Sequence, residues 1–190
     1  MKGLLLLRAD TKNMDPNVLK TWTQLYCDIW KEPPWNENFW KPHLVLKDFR
    51  NELSRPHGEA FLALVYGVSR MMNGRPCLDT VGFTHGYSVS IQEMREIAGN
   101  GGLNVLFKRR KRIYYVDELG VAKEYRGRGI SLVLTRSLIE TAKESGLTCV
   151  ALRTDKQAVV ARKVYGQLGF VEMPVQDTKH PERTYWVLEI

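Results

Sequence analysis

Cysteine is scarce and scattered. The three residues, Cys27, Cys77 and Cys149, are odd in number, far apart and form no CxxC pair. That excludes a disulfide framework and a thiolate zinc site, leaves the three as small buried or half-buried side chains, and suits a reducing compartment. Long apolar runs are missing as well. The four leucines Leu4 to Leu7 follow a single lysine and stop at Arg8 and Asp10, too short for a signal segment, and no run elsewhere is long enough to cross a bilayer. The chain is therefore expected in the cytoplasm, away from membranes. There is no internal repeat and no low-complexity segment. The four histidines, His43, His57, His85 and His180, show no metal-ligand spacing, so structural or surface roles are expected, with no metal.

What is present fits one globular domain spanning 1–190. The chain has 190 residues, 44% hydrophobic and 26% charged, enough to bury a core without staples. The net charge is +7, which points to an anionic partner without naming it.

The order of elements is mixed. GLLLLRAD reads as a buried strand. Asp15 as N-cap and Pro16 in the first turn start a helix whose apolar residues recur at helical spacing to Trp30. Lys31 to Pro42, with two adjacent prolines, is a loop, and His43 to Leu53 a second helix. Glu59 to Val68 and Thr80 to Ser90 read as strands joined by a turn at Asn73 and Gly74. Ile91 to Ala98 reads as a short helix, and Gly99 to Gly102 as a break. The basic run Lys108 to Arg112 leads into a strand, Ile113 to Val121. Then come a helix from Gly129 to Glu144, a strand from Thr148 to Thr154, a helix from Ala158 to Leu168, and two terminal strands, Phe170 to Val175 and Thr184 to Ile190. This predicts an α/β (α+β) mixed sheet with helices packed on it.

The segment VAKEYRGRGIS, Val121 to Ser131, carries the chemistry. A strand ends and a glycine-containing turn opens a helix. Gly127 and Gly129 permit tight geometry and close approach of a ligand. The unpaired N–H groups of the helix, its dipole, and Arg126 and Arg128 then suit a pyrophosphate. A Walker loop would need Lys followed by Ser or Thr after the last glycine, but Ile130 and Ser131 stand there. A dinucleotide turn would need a third glycine, but that position is Leu132.

The segment YVDELGVAKEYRGRGISLVLTRSLIETA resembles the acetyl-CoA-binding motif of the GNAT N-acetyltransferase superfamily. Val121, Arg126, Gly129 and Ser131 occupy the pattern positions, with serine as a departure that keeps its size and its N–H. The likeness continues through CVALRTD and AVVARKVYGQLGF, covering Ile113 to Phe170. It implies a GNAT fold, a mostly antiparallel mixed sheet splayed between strands 4 and 5 and flanked by helices. Acetyl-CoA would bind at about 113–170, contacting Leu119, Gly120, Val121, Arg126, Gly127, Arg128, Gly129, Ile130 and Ser131. Acceptor-side helices and loops would lie at about 11–58. Ala158 departs from the family, which often has Asn there.

Acetyl transfer from acetyl-CoA to a primary amine needs a base, an oxyanion partner and an acid for the thiolate. Ala158, Ala161, Tyr165 and Leu168 share a helical stripe, and a phenol stays protonated at neutral pH. The resemblance gives Tyr165 the acid's role. Asp117 and Glu118 are the base candidates. Strict alternation would put them on opposite faces, Asp117 with Tyr115, Leu119 and Val121. Asp117 also matches a carboxylate of the similar spermidine/spermine acetyltransferases that acts through water. By the same resemblance the backbone of Leu119 and Val121 pairs with the pantetheine and polarises the acetyl carbonyl.

On the acceptor side, Trp30, Glu32, Trp35, Glu37, Phe39 and Trp40 combine aromatic faces with carboxylates, a set suited to a cationic amine. The expected partners are thus acetyl-CoA and an amine acceptor on a small molecule or peptide, with homodimerisation left open. A non-catalytic acyl-CoA sensor is the alternative. A nucleic-acid binder using KRRKR is disfavoured, because no aromatics interleave the basic run.

Overall fold

The computed structural model describes residues 3–9, 13–72, 75–99 and 102–190. Its centre is a seven-stranded sheet: β1 (Leu4–Arg8), β2 (Glu59–Met72), β3 (Arg75–Ser90), β4 (Arg112–Val121), β5 (Cys149–Asp155), β6 (Val171–Met173) and β7 (Arg183–Glu189), in the order β1-β2-β3-β4-β5-β7-β6. Every pairing is antiparallel except β4 with β5. That parallel pairing spans only Tyr114–Val116 against Val150–Leu152. Beyond Val116, β4 stays paired to β3 while β5 continues along β7. The predicted splay between strands 4 and 5 is therefore present.

Among the described residues six α-helices cover the two faces. On one face lie α1 (Pro16–Trp30), α2 (Pro42–Leu53), α3 (Ile91–Ala98) and the single-turn α4 (Asn104–Phe107). On the other lie α5 (Ile130–Glu144) and α6 (Val159–Gln167). The Asp15 carboxylate caps α1 by accepting from the amides of Asn17 and Val18. Trp22, fully buried, packs on Phe49 of α2 at 4.3 Å between ring centres. Ile130, Leu134, Leu138 and Ala142 recur every fourth residue of α5 and form its buried stripe. Ser90 and Glu93 form a reciprocal capping box that starts α3 directly at the end of β3.

Several boundaries differ from the sequence reading. β2 and β3 run longer, to Met72 and from Arg75, because they extend beyond the sheet body as a two-stranded arm. The expected turn at Asn73 and Gly74, and the middle of the Gly99–Gly102 break, lie outside the described residues. α4 was not anticipated; Leu106 and Phe107 bury into the core beside Ile113. The basic run is largely spent on the chain itself. Lys108 and Arg110 both pair with Glu189, Arg110 also donates to Thr148, and Arg112 reaches Ser88 and Glu93. Cys27 and Cys149 are buried and Cys77 half-buried, all free. Among the described residues no helix is long and apolar enough to cross a membrane.

One irregularity sets up the site. The β3–β4 register runs His85 to Glu118 and then Gly86 to Val116, leaving Asp117 as the extra residue of a β-bulge. Gly86 permits it: a Cβ there would lie 2.5 Å from the Tyr115 carbonyl oxygen. Alternation is broken, so Asp117 and Glu118 both face α1 and α2, while Leu119 packs on the α5 and α6 side.

A buried network steadies the far wall. Asp177 accepts from Arg153 at 2.8 Å, from the Tyr185 hydroxyl at 3.0 Å and from the amides of Lys179 and His180. Burial alone would raise the Asp177 carboxyl; the His180 amide, Arg153 and Tyr185 outweigh it and hold it below the ordinary range.

Two outcomes follow from this geometry. Gly86→Ala should lower the urea midpoint by an amount equivalent to about 1–3 kcal/mol, since backbone lies in the path of the methyl group. Because the Asp177 carboxyl is held low when folded, its stabilisation is complete above the unfolded Asp value of roughly 3.9 and is lost as pH falls through the folded value. Asp177→Asn should flatten the acid limb of a stability–pH curve measured by thermal melting.

Candidate active site

Where β4 and β5 part, a cavity of ≈ 540 Å³ opens. One wall is the end of β4, Leu119 to Val121. The floor is the glycine turn and the start of α5, and the opposite wall is α6. Gly129 caps α5 at φ 76°, a left-handed conformation that favours glycine, and Gly127 has φ 73°. A Cβ at either would meet nothing within 4 Å, so the space beside the turn is open. Arg126, Gly127, Gly129, Ile130 and Ser131 all line this cavity. Arg128 does not. Its guanidinium donates to the Glu124 carbonyl at 3.1 Å and lies over the Tyr125 ring.

Tyr165 projects from α6 into the same cavity with Ala158 and Ala161, as the stripe predicted. It packs on Phe170 and Trp186 and is only 6% exposed. Burial, and then the charge of Glu118, push its hydroxyl well above the ordinary tyrosine range, so it holds its proton.

A second cavity, ≈ 370 Å³, lies on the α1/α2 side. The two share Trp30, Trp35, Arg153 and Asp117 as walls. Asp117 therefore stands where they meet, its Oδ2 accepting from the Tyr87 hydroxyl at 2.7 Å. Glu118 points only into the second cavity. Its Oε1 accepts from Tyr26 at 3.2 Å, and its Oε2 is buried with no hydrogen-bond partner among the described residues. Burial, with the charges of Asp117 and Glu52 added, drives the Glu118 carboxyl far above the usual carboxylate range. The expectation of opposite faces for this pair is thus overturned by the bulge.

Two residues that sequence reasoning missed complete the cluster. Glu52, near the end of α2, puts Oε2 2.7 Å from Nε2 of His85, and both converge with Asp117, one oxygen or nitrogen of each lying within 4.8 Å of the others. His85 is 2% exposed. Burial raises the Glu52 carboxyl, and His85 only partly offsets it. The three lie 33 and 32 positions apart along the chain, so no local spacing announced the set. The signal available was an imidazole inside an otherwise neutral strand, TVGFTHGYSVS.

The acceptor-side expectations divide. Glu37 lines the second cavity and accepts from Trp40 Nε1 at 2.6 Å. Trp35 walls both cavities and meets Trp30 edge-on at 4.8 Å. Glu32 instead lies on the first cavity, paired with Arg126 at 2.7 Å, because the loop after α1 folds over the glycine turn.

Comparison with known proteins agrees with this architecture. N-alpha-acetyltransferase 30 of Schizosaccharomyces pombe is 36% identical over 56 residues, covering 30% of this chain and 37% of that protein. The chain thus spans little more than a third of that relative. Among solved structures, the NatC complex bound to Gag peptide and CoA superposes with a TM-score of 0.64 at 15% identity, covering 99% of both chains. Arabidopsis thaliana NAA60 with a bisubstrate analogue gives 0.63 at 17% identity, covering 98% of this chain and 99% of that one. Residues 22–170 match the sequence model described as the Acetyltransferase (GNAT) family, and a match over most of the chain, on a sheet parted at the same two strands, makes this protein a member of that family of acetyltransferases.

Proposed function

We propose that the protein moves an acetyl group from acetyl-CoA to a primary amine of a small molecule or peptide by direct attack. The observation that carries this reading is the meeting of two cavities at Asp117, with a phosphate turn at the far end of one and carboxylates flooring the other.

The pyrophosphate is held by the free N–H groups at the start of α5 and by Arg126, which exchanges Glu32 for it. The pantetheine runs along Leu119 to Val121, which does not pair with β5 and whose Val121 carbonyl accepts from Arg126 Nε at 3.0 Å, and the N–H groups there polarise the acetyl carbonyl. The amine enters through the second cavity, between Trp30, Trp35 and Trp40 and above Glu37. Asp117 takes a proton from the ammonium group, directly or through one water, and Glu118 lines the acceptor's path. The nitrogen attacks the thioester carbon, the C–S bond breaks, and Tyr165 protonates the departing sulfur. This reading places the enzyme in the cytoplasm, where acetyl-CoA is at hand and three free thiols stay reduced.

Acetyl-CoA at saturation should raise the melting temperature, as any ligand of the native state does; no shift would remove this reading. Thiol release should then appear with at least one amine among n-butylamine, 1,4-diaminobutane, spermidine, an aminoglycoside and an unblocked tetrapeptide. A melting shift without thiol release from any of them would favour a non-catalytic acyl-CoA sensor. With a turned-over amine, Tyr165→Phe should cut kcat by roughly 100-fold while leaving the acetyl-CoA melting shift in place. Full turnover by that variant would refute the acid assignment.

A further inference from the structure

The acetyl transfer proposed above takes two protons from nitrogen and returns one to sulfur. The ammonium must lose one proton before its lone pair can attack. The tetrahedral adduct must lose a second as the C–S bond breaks and the amide forms. Tyr165 supplies the proton that sulfur gains. Asp117 alone can accept one proton, and it is blocked for the second until the first has moved on.

The groups behind Asp117 are arranged to move it. Glu52 from α2 and His85 from β3 converge on Asp117, and Glu52 Oε2 stands 2.7 Å from His85 Nε2. That contact is short but lies off the line a hydrogen bond prefers. The other ring nitrogen, Nδ1, is buried with no hydrogen-bond partner among the described residues. A histidine kept only for packing normally has its buried nitrogens satisfied, so this one calls for another explanation. The remaining titratable groups facing the pair are Glu118, the register partner of His85 on β4, Tyr26 of α1, which donates to Glu118, and Tyr87 of β3, which donates to Asp117 and lies under the Arg55 guanidinium. On the remaining side Phe49 meets the imidazole edge-on at 5.3 Å and keeps water away.

We propose that Glu52 and His85 form a proton relay behind Asp117. The first proton passes from the Asp117 carboxyl to Glu52 and rests on His85, whose neutral imidazole becomes imidazolium between the carboxyl groups of Glu52 and Glu118. Asp117, ionised again, takes the second proton from the adduct. The relay discharges both protons to solvent when the amide leaves, and Tyr165 takes one back from solvent, so one proton net is released per turnover. Imidazole is suited to the end of such a chain because it can take a proton on one ring nitrogen and give one up from the other. Both residues act through Asp117 and are positioning residues rather than groups that touch the acceptor. The inference rests on the acetyl transfer proposed above, with Asp117 as its base.

The test compares His85→Gln and Glu52→Gln with the wild-type chain, using the panel amine that the wild type turns over fastest. Steady-state kcat and KM are followed across the pH range in which the chain stays folded, about pH 5 to pH 9. Each variant should lose about tenfold or more in kcat. The acidic limb of the kcat profile should disappear in His85→Gln. KM for acetyl-CoA and the acetyl-CoA melting shift should stay at wild-type values. Glu52→Asp, which keeps the carboxylate, should recover part of kcat. The relay is overturned if either folded variant keeps wild-type kcat and pH profile, or if the loss is confined to melting temperature and acceptor KM, as a packing role would give. Should one variant not fold, the other decides by the same criteria. A wild-type chain that releases no thiol with any amine sinks the proposed function and the relay together; wild-type turnover matched by both variants sinks the relay alone.

Discussion

β4 and β5 run side by side from Tyr114 to Val116 and then separate, and the backbone groups freed by that parting need partners. In a closed sheet they would bond to each other. Here β4 keeps β3 on one side and faces an open cavity on the other, while β5 turns along β7. A cleft between parallel strands is stable only if its two walls are held independently. α5 does this for β4 with its buried stripe of Ile130, Leu134 and Leu138, and the Asp177–Arg153–Tyr185 network does it for β5. The same parting leaves room for the start of α5, whose unpaired N–H groups are the natural place for phosphate oxygens.

The bulge at Asp117 is a further departure from regular pairing, and it lies one residue past the parting. It brings two consecutive carboxylates to one face, where Glu52 adds a third. Three carboxyl groups in a buried space cannot all ionise, since desolvation and like charge both oppose it. The compensation is local: two tyrosine hydroxyls donate into the cluster, and an imidazole stands beside it. Such crowding costs stability in the isolated protein. On the acetyl transfer proposed above, an entering cationic amine offsets that cost, and a locally inconsistent arrangement of this kind belongs at a site rather than in a core.

How much of this was legible depended on whether a feature is local in sequence. The limits of α1 were written by Asp15, Pro16 and the doubled proline after it, and they fell where the caps put them. The glycine turn at the start of α5 was legible because positive φ and an open helix start must occur within a few residues of one another. The stripe of Ala158, Ala161 and Tyr165 was legible because helical spacing alone aims it. The bulge was not, since a register shift is decided between two strands and neither strand's own alternation records it. The meeting of Glu52, His85 and Asp117 was hidden for the same reason: three elements, distant in sequence, fix it only once the sheet and α2 are assembled. α4 escaped because four residues are too few for a period to show.

The loop between α1 and α2 shows that residue type alone does not say where a side chain is committed. Glu32 and Glu37 look alike in sequence, yet Glu32 is committed to Arg126 and Glu37 to Trp40. The Glu32–Arg126 pair is more than a third exposed on both sides, so it contributes up to about 1 kcal/mol and does not by itself hold a loop. The aromatic rings do. Trp30 meets Trp35, and Tyr26 meets Trp30, Trp40 and Phe83, all with ring centres under 6 Å apart, and such pairs each add about 0.5–1.5 kcal/mol beyond their buried area. Position is thus set by packing and charge is left adjustable. On the acetyl transfer proposed above, the weak ion pair is the part of the loop that a phosphate replaces at little cost, whereas the tryptophan walls stay where the two cavities meet.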